Sequence, residues 1–312
     1  MRGLRGLCFF RPSVRAAPPL RAGQHHPRPG REAHGAGCRV RRWAAGGARL
    51  EPAIRIIAPM PLPRLNIDLG ELPDEPAALY AAAHIANIAC GGHAGDAASM
   101  RRALQACAEQ GCAVGAHPSY PDRADFGRRR LDLPIAALRD ALARQLAALA
   151  AQAAALDLPL RWLKPHGALY HAADADPVLA ELLLEVAADE LGPVGLIGPA
   201  GGALEAAAAA RAWPWLREAF ADRGRQRDAA GRWRLLPRDQ PGALLAQPAQ
   251  ILAQARSLVA EGAADTLCLH GDHPPSVRAA PRLRAWLDGQ VDAGAAGAGF
   301  VDAGAQHPEP PR

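Results

Sequence analysis

Two carboxylates, a histidine set on a glycine turn and the chain's only lysine are the residues whose type and spacing best suit chemistry. In residues 66–71 (NIDLGE), Asp68 and Glu71 follow a short apolar run. Carboxylates there can ligate a metal, activate a water or cap the next turn, and Asn66 can orient a substrate. In residues 87–100 (NIACGGHAGDAASM), the adjacent glycines Gly91 and Gly92 let the backbone adopt positive φ or approach a ligand closely. His93 is flanked by small residues that offer its ring little packing, which favours a chemical role. Asp96 has a plainer role open to it, as N-cap of a following helix.

Residues 114–129 (VGAHPSYPDRADFGRR) form a long polar loop after a buried strand. His117 precedes a proline and is therefore kept out of the helical region. Asp122 and Arg123 suit either mutual pairing or substrate contact. Arg128 and Arg129 are expected to face solvent or ligand, because burying an unpaired guanidinium is costly. Residues 163–171 (LKPHGALYH) hold Lys164 and His166. Arginine is used everywhere else, so a retained ammonium at Lys164 points to a task that a planar guanidinium does not suit, such as holding a carboxylate or donating a proton. Residues 220–224 (FADRG) add Asp222 and Arg223, and residues 268–274 (CLHGDHP) add His270 and Asp272. Together His93, His117, His166 and His270 could join carboxylates around a divalent ion. No HxxxH spacing on a helix supports one, so a metal is the minority reading and is not predicted. No GxGxxG, Walker A or GxSxG motif occurs, which argues against a Rossmann cofactor, P-loop ATP binding and serine hydrolysis.

The elements that must position these residues are short apolar runs alternating with longer helical patterns. Strands are expected at 64–68, 85–90, 112–117, 160–164, 194–198, 216–220 and 266–270. Helices are expected at 98–110, 134–156, 177–191, 202–212, 248–261 and 278–288. The second of these opens on a proline and carries Leu138, Leu142, Leu146 and Leu149 on one stripe. Such alternation implies a parallel sheet. Nearly every strand ends on a polar, reactive side chain, and a closed barrel would bring those ends to one face. An open sheet would gather only the pair at its switch point.

Hydrophobic residues make up 49% of the 312 and charged residues 21%, values of a globular protein with a large core. The net charge of +5 is concentrated in residues 1–60, which are rich in Arg, Pro and Gly with only Glu32 and Glu51 opposing. That segment reads as a disordered or non-native basic extension, with Met60 as the expected start. The barrel domain is expected over 61–290, and a mostly disordered tail over 291–312, with a short strand near Phe300. The remainder shows no basic face for nucleic acid and no apolar run of membrane-spanning length. Six scattered cysteines without a CxxC pair suit a reducing, cytoplasmic setting.

Seven motifs in this order, LNIDLGE, ANIACGGHAGD, GAHPSYPDRADFGRR, LKPHGALYH, FADRG, PRDQPGALL and CLHGD, resemble the LamB/YcsF family over residues 65–287. Arg64 stands where that family's first motif usually has aspartate. The resemblance implies an α/β fold, a distorted seven-stranded parallel TIM-like barrel akin to glycoside hydrolases and sugar deacetylases. It implies ATP-dependent ring opening of 5-oxo-L-proline to L-glutamate, with 5-oxoprolinase subunits B and C as partners. ATP is then a co-substrate that the partners can bind. On that reading Asp68, Glu71, His93, Asp96, His117, Lys164 and His166 are the catalytic candidates. Asn66, Asp122, Arg123, Arg128, Asp222, Arg223, His270 and Asp272 are the substrate-binding candidates. The competing expectation is a metal-dependent amidohydrolase or deacetylase acting on a small amide or amino sugar. A non-catalytic partner protein is disfavoured by the intact motifs.

Overall fold

The computed structural model describes residues 63–229 and 233–289. The expected extension over 1–60, the tail over 291–312 and the strand near Phe300 lie outside the described residues. Seven parallel strands close into a barrel in the order β1 (Arg64–Leu69), β2 (Ile85–Ala89), β3 (Ala113–His117), β4 (Leu160–Leu163), β5 (Gly195–Gly198), β6 (Trp215–Phe220) and β9 (Thr266–His270). Between β6 and β9 stands an antiparallel hairpin, β7 (Arg225–Arg227) and β8 (Trp233–Leu235). The helices are α1 (Ala77–Ala82), α2 (Ala97–Gln110), α3 (Ile135–Ala154), α4 (Gly167–Ala175), α5 (Pro177–Leu191), α6 (Ala203–Ala210), α7 (Pro248–Ala260) and α8 (Pro274–Leu287). The seven strands expected from sequence are those of the barrel. Helices α1 and α4 and the hairpin go beyond that expectation, and α8 begins a turn earlier than its expected start.

Strand alternation sorts the side chains. Leu65, Ile67 and Leu69 of β1 join the apolar layer between sheet and helices, where the stripe Leu138, Leu142, Leu146 and Leu149 of α3 also lies. Asn66 and Asp68 of the same strand point inward. The register aligns Asn66 with Ile85 and Cys268, and Asp68 with Asn87 and His270, so those residues share the interior. Ile85, Trp162 and Ile197 form an apolar plug within the barrel. Gly195 makes room for it, since a Cβ there would fall 2.3 Å from the Trp162 ring. Toward the C-terminal strand ends the interior turns polar and charged, with Asn66, Asp68, Asn87, His117, Lys164, Glu218 and His270 all buried. Arg64 begins β1 at the opposite end, away from that face. Among the described residues no helix is long and apolar enough to cross a membrane.

Candidate active site

Lys164 directly follows β4 and is 1% exposed, so its ammonium is stable only with partners. Its Nζ donates to Asp68 Oδ1 at 2.9 Å and Oδ2 at 3.1 Å, to Asn66 Oδ1 at 3.2 Å and to Cys268 Sγ at 3.0 Å. Glu218 Oε1 lies 2.8 Å away and completes the ion pair. Burial alone would lower the lysine pKa. Asp68, with Cys268 and Glu218, outweighs burial and holds it well above its ordinary value. Burial would likewise raise the Asp68 carboxyl, but His117 and Lys164 hold it well below the usual range. Asn87 donates to the same Asp68 Oδ1 at 2.9 Å.

Beside this cage, three imidazoles gather around Glu71. His93 Nε2 is 3.0 Å from Glu71 Oε1, His166 Nδ1 is 3.3 Å from it and His117 Nε2 is 3.7 Å from it. The His93 and His166 rings stack at 3.6 Å, and His117 stands edge-on to both. Two backbone carbonyls orient the set. Lys164 O lies 2.7 Å from His117 Nδ1, and Phe126 O lies 3.0 Å from His166 Nε2. Close backbone approach makes the stack possible. Gly91 has φ +94°, and a Cβ on Gly92 would fall 2.4 Å from Ser119 Oγ and Gln145 Oε1. At Gly127, φ is +63° and a Cβ would fall 2.8 Å from His93 Cβ. Burial would raise the Glu71 carboxyl, but His166 and His93 beside it hold it below its usual range. Burial lowers His93 to about 4 and also lowers His166, so both are neutral at pH 7.

A small recess opens at the C-terminal strand ends, lined among others by Asp68, His117, Lys164, His166, His270 and Arg238. His270 Nδ1 lies 3.0 Å from both Asp222 oxygens, and Asp222 Oδ2 accepts from the His270 amide and from Ser276 Oγ, each at 2.8 Å. Burial alone would lower the His270 pKa, but Asp222 outweighs it and raises it. Against burial, His270 and Ser276 lower Asp222 to about 2. An Asp depressed from about 3.9 in the unfolded chain to about 2 stabilises the fold above pH ~4, by about 2 kcal/mol, and loses that contribution between about pH 4 and pH 2. Denaturant unfolding is therefore expected to show the gap between wild type and Asp222→Asn narrowing by about 2 kcal/mol from pH 6 to pH 2.5. A gap unchanged across that range would contradict the paired, ionised Asp222.

The LamB/YcsF family pattern matches residues 64–296, three quarters of the chain and the whole described barrel. This chain belongs to the LamB/YcsF family. The A subunit of 5-oxoprolinase in Symbiobacterium thermophilum is 43% identical over 227 residues, covering 68% of this chain and 85% of that protein. The corresponding A subunit of Nocardia farcinica is 41% identical over 241 residues, 72% of this chain and 94% of that one. Among solved structures, the lactam utilization protein from Thermus thermophilus superposes with a TM-score of 0.64 at 31% identity. The superposition covers 73% of this chain and 97% of that one. The barrel expected from the motifs is thus both observed in this chain and shared with a relative.

Of the residues singled out in the sequence, Asn66, Asp68, Glu71, His93, His117, Lys164 and His166 come together in the barrel, with Asp222 and His270 beside them. Others are placed differently. Asp96 is exposed and caps α2, accepting from Ser99 N at 2.8 Å within a capping box. Arg123 does not pair with Asp122 but donates to the carbonyls of Gly91 and Gly95, clasping the turn that carries His93. Asp122 is buried near Arg129 and accepts from Asp125 N at 3.3 Å. Arg128 lines the recess and pairs with Asp272 at 2.6 Å at its rim. Arg223 also lines the recess, while donating to the Ala243 and Leu236 carbonyls and so anchoring the hairpin segment. The sequence reading missed Glu218, Arg238 and Tyr170, whose buried hydroxyl lies against Glu218. The signal for Glu218 is a carboxylate within the otherwise apolar alternation of WLREAF. Arg238 lies in plain view within the PRDQPGALL motif.

Proposed function

We propose that this chain is the A subunit of a cytoplasmic, ATP-dependent 5-oxoprolinase, opening the lactam of 5-oxo-L-proline to give L-glutamate with subunits B and C. The names borne by relatives at 41–43% identity support this reading, as does the lactam utilization protein that shares the fold. The observation that carries it is a meeting of opposite functions around one small recess. Acceptors able to take a proton from water, His117 and Asp68, line it together with His270, a proton donor whose pKa Asp222 raises.

Hydrolysis adds water across the C–N bond, with hydroxyl to the carbonyl carbon and a proton to the ring nitrogen. His117 presents Nε2 at 3.5 Å from Asp68 Oδ2 and is the base for that water. His270 supplies the proton for the departing nitrogen or steadies the charge forming on the carbonyl oxygen. Arg238 is half-buried, and both burial and nearby Arg128 lower its pKa, so a substrate carboxylate there would relieve an under-neutralised guanidinium. A lactam carbonyl is a poor electrophile, which is why the reaction is coupled to ATP. The sequence carries no P-loop, which fits nucleotide binding by the partners.

The cluster of His93, His117, His166 and Glu71 also suits a metal-dependent amidohydrolase needing neither ATP nor partners. The test therefore offers 5-oxoproline and ATP to the chain with and without B and C, and an N-acetylated amino sugar without ATP. Glutamate formed only by the complete set is the expected result. Acetate released by the chain alone would favour the other reading.

A further inference from the structure

We propose that Glu71, His93, His117 and His166 bind one divalent transition-metal ion of the zinc class. The sequence left a divalent metal as the lesser reading; the placement of lone pairs favours it. A carbonyl occupies one nitrogen of each of two rings, Lys164 O at His117 Nδ1 and Phe126 O at His166 Nε2. Carbonyls only accept, so the ring hydrogens sit on those nitrogens. The other two nitrogens, His117 Nε2 and His166 Nδ1, then face each other with lone pairs at 3.0 Å. Both also face the Glu71 Oε1 acceptor at 3.3–3.7 Å. Three acceptors converging in a buried space repel unless a cation lies among them.

His93 adds a fourth. If its Nε2 donates to Glu71 at 3.0 Å, its buried Nδ1 keeps a lone pair with no partner. If Nδ1 carries the hydrogen instead, the Nε2 lone pair points at a carboxylate. Either tautomer leaves a nitrogen without a proton to share.

The spacing fits a metal. Ligands at about 2.0–2.1 Å from a tetrahedral ion lie about 3.3–3.4 Å from one another. The measured edges of 3.0, 3.0, 3.3 and 3.7 Å bracket that value, and the four ligand atoms all lie within 4.8 Å of one another. Three imidazoles and a carboxylate suit zinc, cobalt or manganese better than magnesium or calcium, which prefer oxygen. The neighbouring set Asp68, Cys268 and His270 makes the contrast, because Lys164 already stands among its atoms as the cation. A bound ion would supply a Lewis-acid centre at the wall of the recess. The competing cation is a single proton shared between His117 and His166.

The inference revises one step of the proposed activity, since His117 Nε2 held by an ion would no longer be free to take a proton from water and Asp68 beside it would be the base. Metal content is measured without turnover, so the two fail separately. Untagged full-length protein is stripped with a chelator, dialysed, and titrated with Zn²⁺ and Co²⁺, with bound metal read by elemental analysis and the cobalt visible spectrum. The expected result is about one ion per chain, an intense tetrahedral-type cobalt spectrum, and binding at least about a hundredfold weaker in His166→Ala and Glu71→Gln. Circular dichroism checks that both variants fold. The wild-type cobalt spectrum decides the matter alone if they do not. No stoichiometric binding by wild type, or full binding retained by folded His166→Ala, would overturn the site and leave the shared proton as its cation.

Discussion

Lys164→Met is expected to abolish 5-oxoproline turnover, by at least about a hundredfold or about 2.7 kcal/mol in the barrier, and to destabilise the fold by about 3–5 kcal/mol. Both effects have one source. The ammonium is the counter-charge to Asp68 and Glu218, and all three groups are buried in the barrel. Methionine fills the space but leaves two carboxylates unneutralised, and Asp68 then becomes protonated or displaced. Asp68 contacts His117 and borders the recess, so its loss reaches the chemistry as well as the core. Lys164→Arg keeps the charge, but a planar fork cannot reproduce donation to Asp68, Asn66 and Cys268 from one point, so only partial rescue is expected. Because the lysine is enclosed by protein groups, the defect should fall mainly on kcat rather than KM. Denaturant unfolding and steady-state rates check the two halves separately. A Lys164→Met chain that unfolds like wild type and turns over normally with its partners would show that the cage has no role.

His117→Ala and His93→Ala are each expected to remove turnover while leaving a folded barrel. His117 offers Nε2 to the recess because the Lys164 carbonyl holds its other nitrogen. Alanine therefore removes the base without leaving a buried charge unpaired. General-base catalysis contributes about 10²–10⁴-fold, which sets the expected loss for His117→Ala. His93 works through Glu71 and through its stack on His166, so its removal misplaces the cluster instead of deleting the base. Unfolding midpoints should shift far less in either variant than in Lys164→Met. Near-normal rates in both would move the site elsewhere.

Much of this was legible in the sequence. Strand ends carrying Asp68, His93, His117, Lys164, His166 and His270 indicated a closed parallel barrel, because only closure brings so many ends to one face. The Gly91–Gly92 pair announced a close backbone approach, and the structure supplies the Gln145 and Ser119 contacts that require it. Other features depend on tertiary partners. Arg123 looks as reactive in sequence as Asp68, yet it binds carbonyls, whereas Asp96 takes the N-cap role that its place before a helix already offered. Helix α4 is hidden because its residues read equally well as the tail of a reactive motif. The facing lone pairs of His117 and His166 arise from carbonyls in two other segments, so no spacing rule could have revealed them.

The most direct test of the central claim is the rate of glutamate release from 5-oxoproline and ATP by subunits B and C with this chain present or left out. Release that requires the chain, and that falls to the chain-free background when His117→Ala replaces it, is the predicted result. Release by B and C alone at the full rate, or an unimpaired complex containing His117→Ala, would contradict lactam opening at the mouth of this barrel.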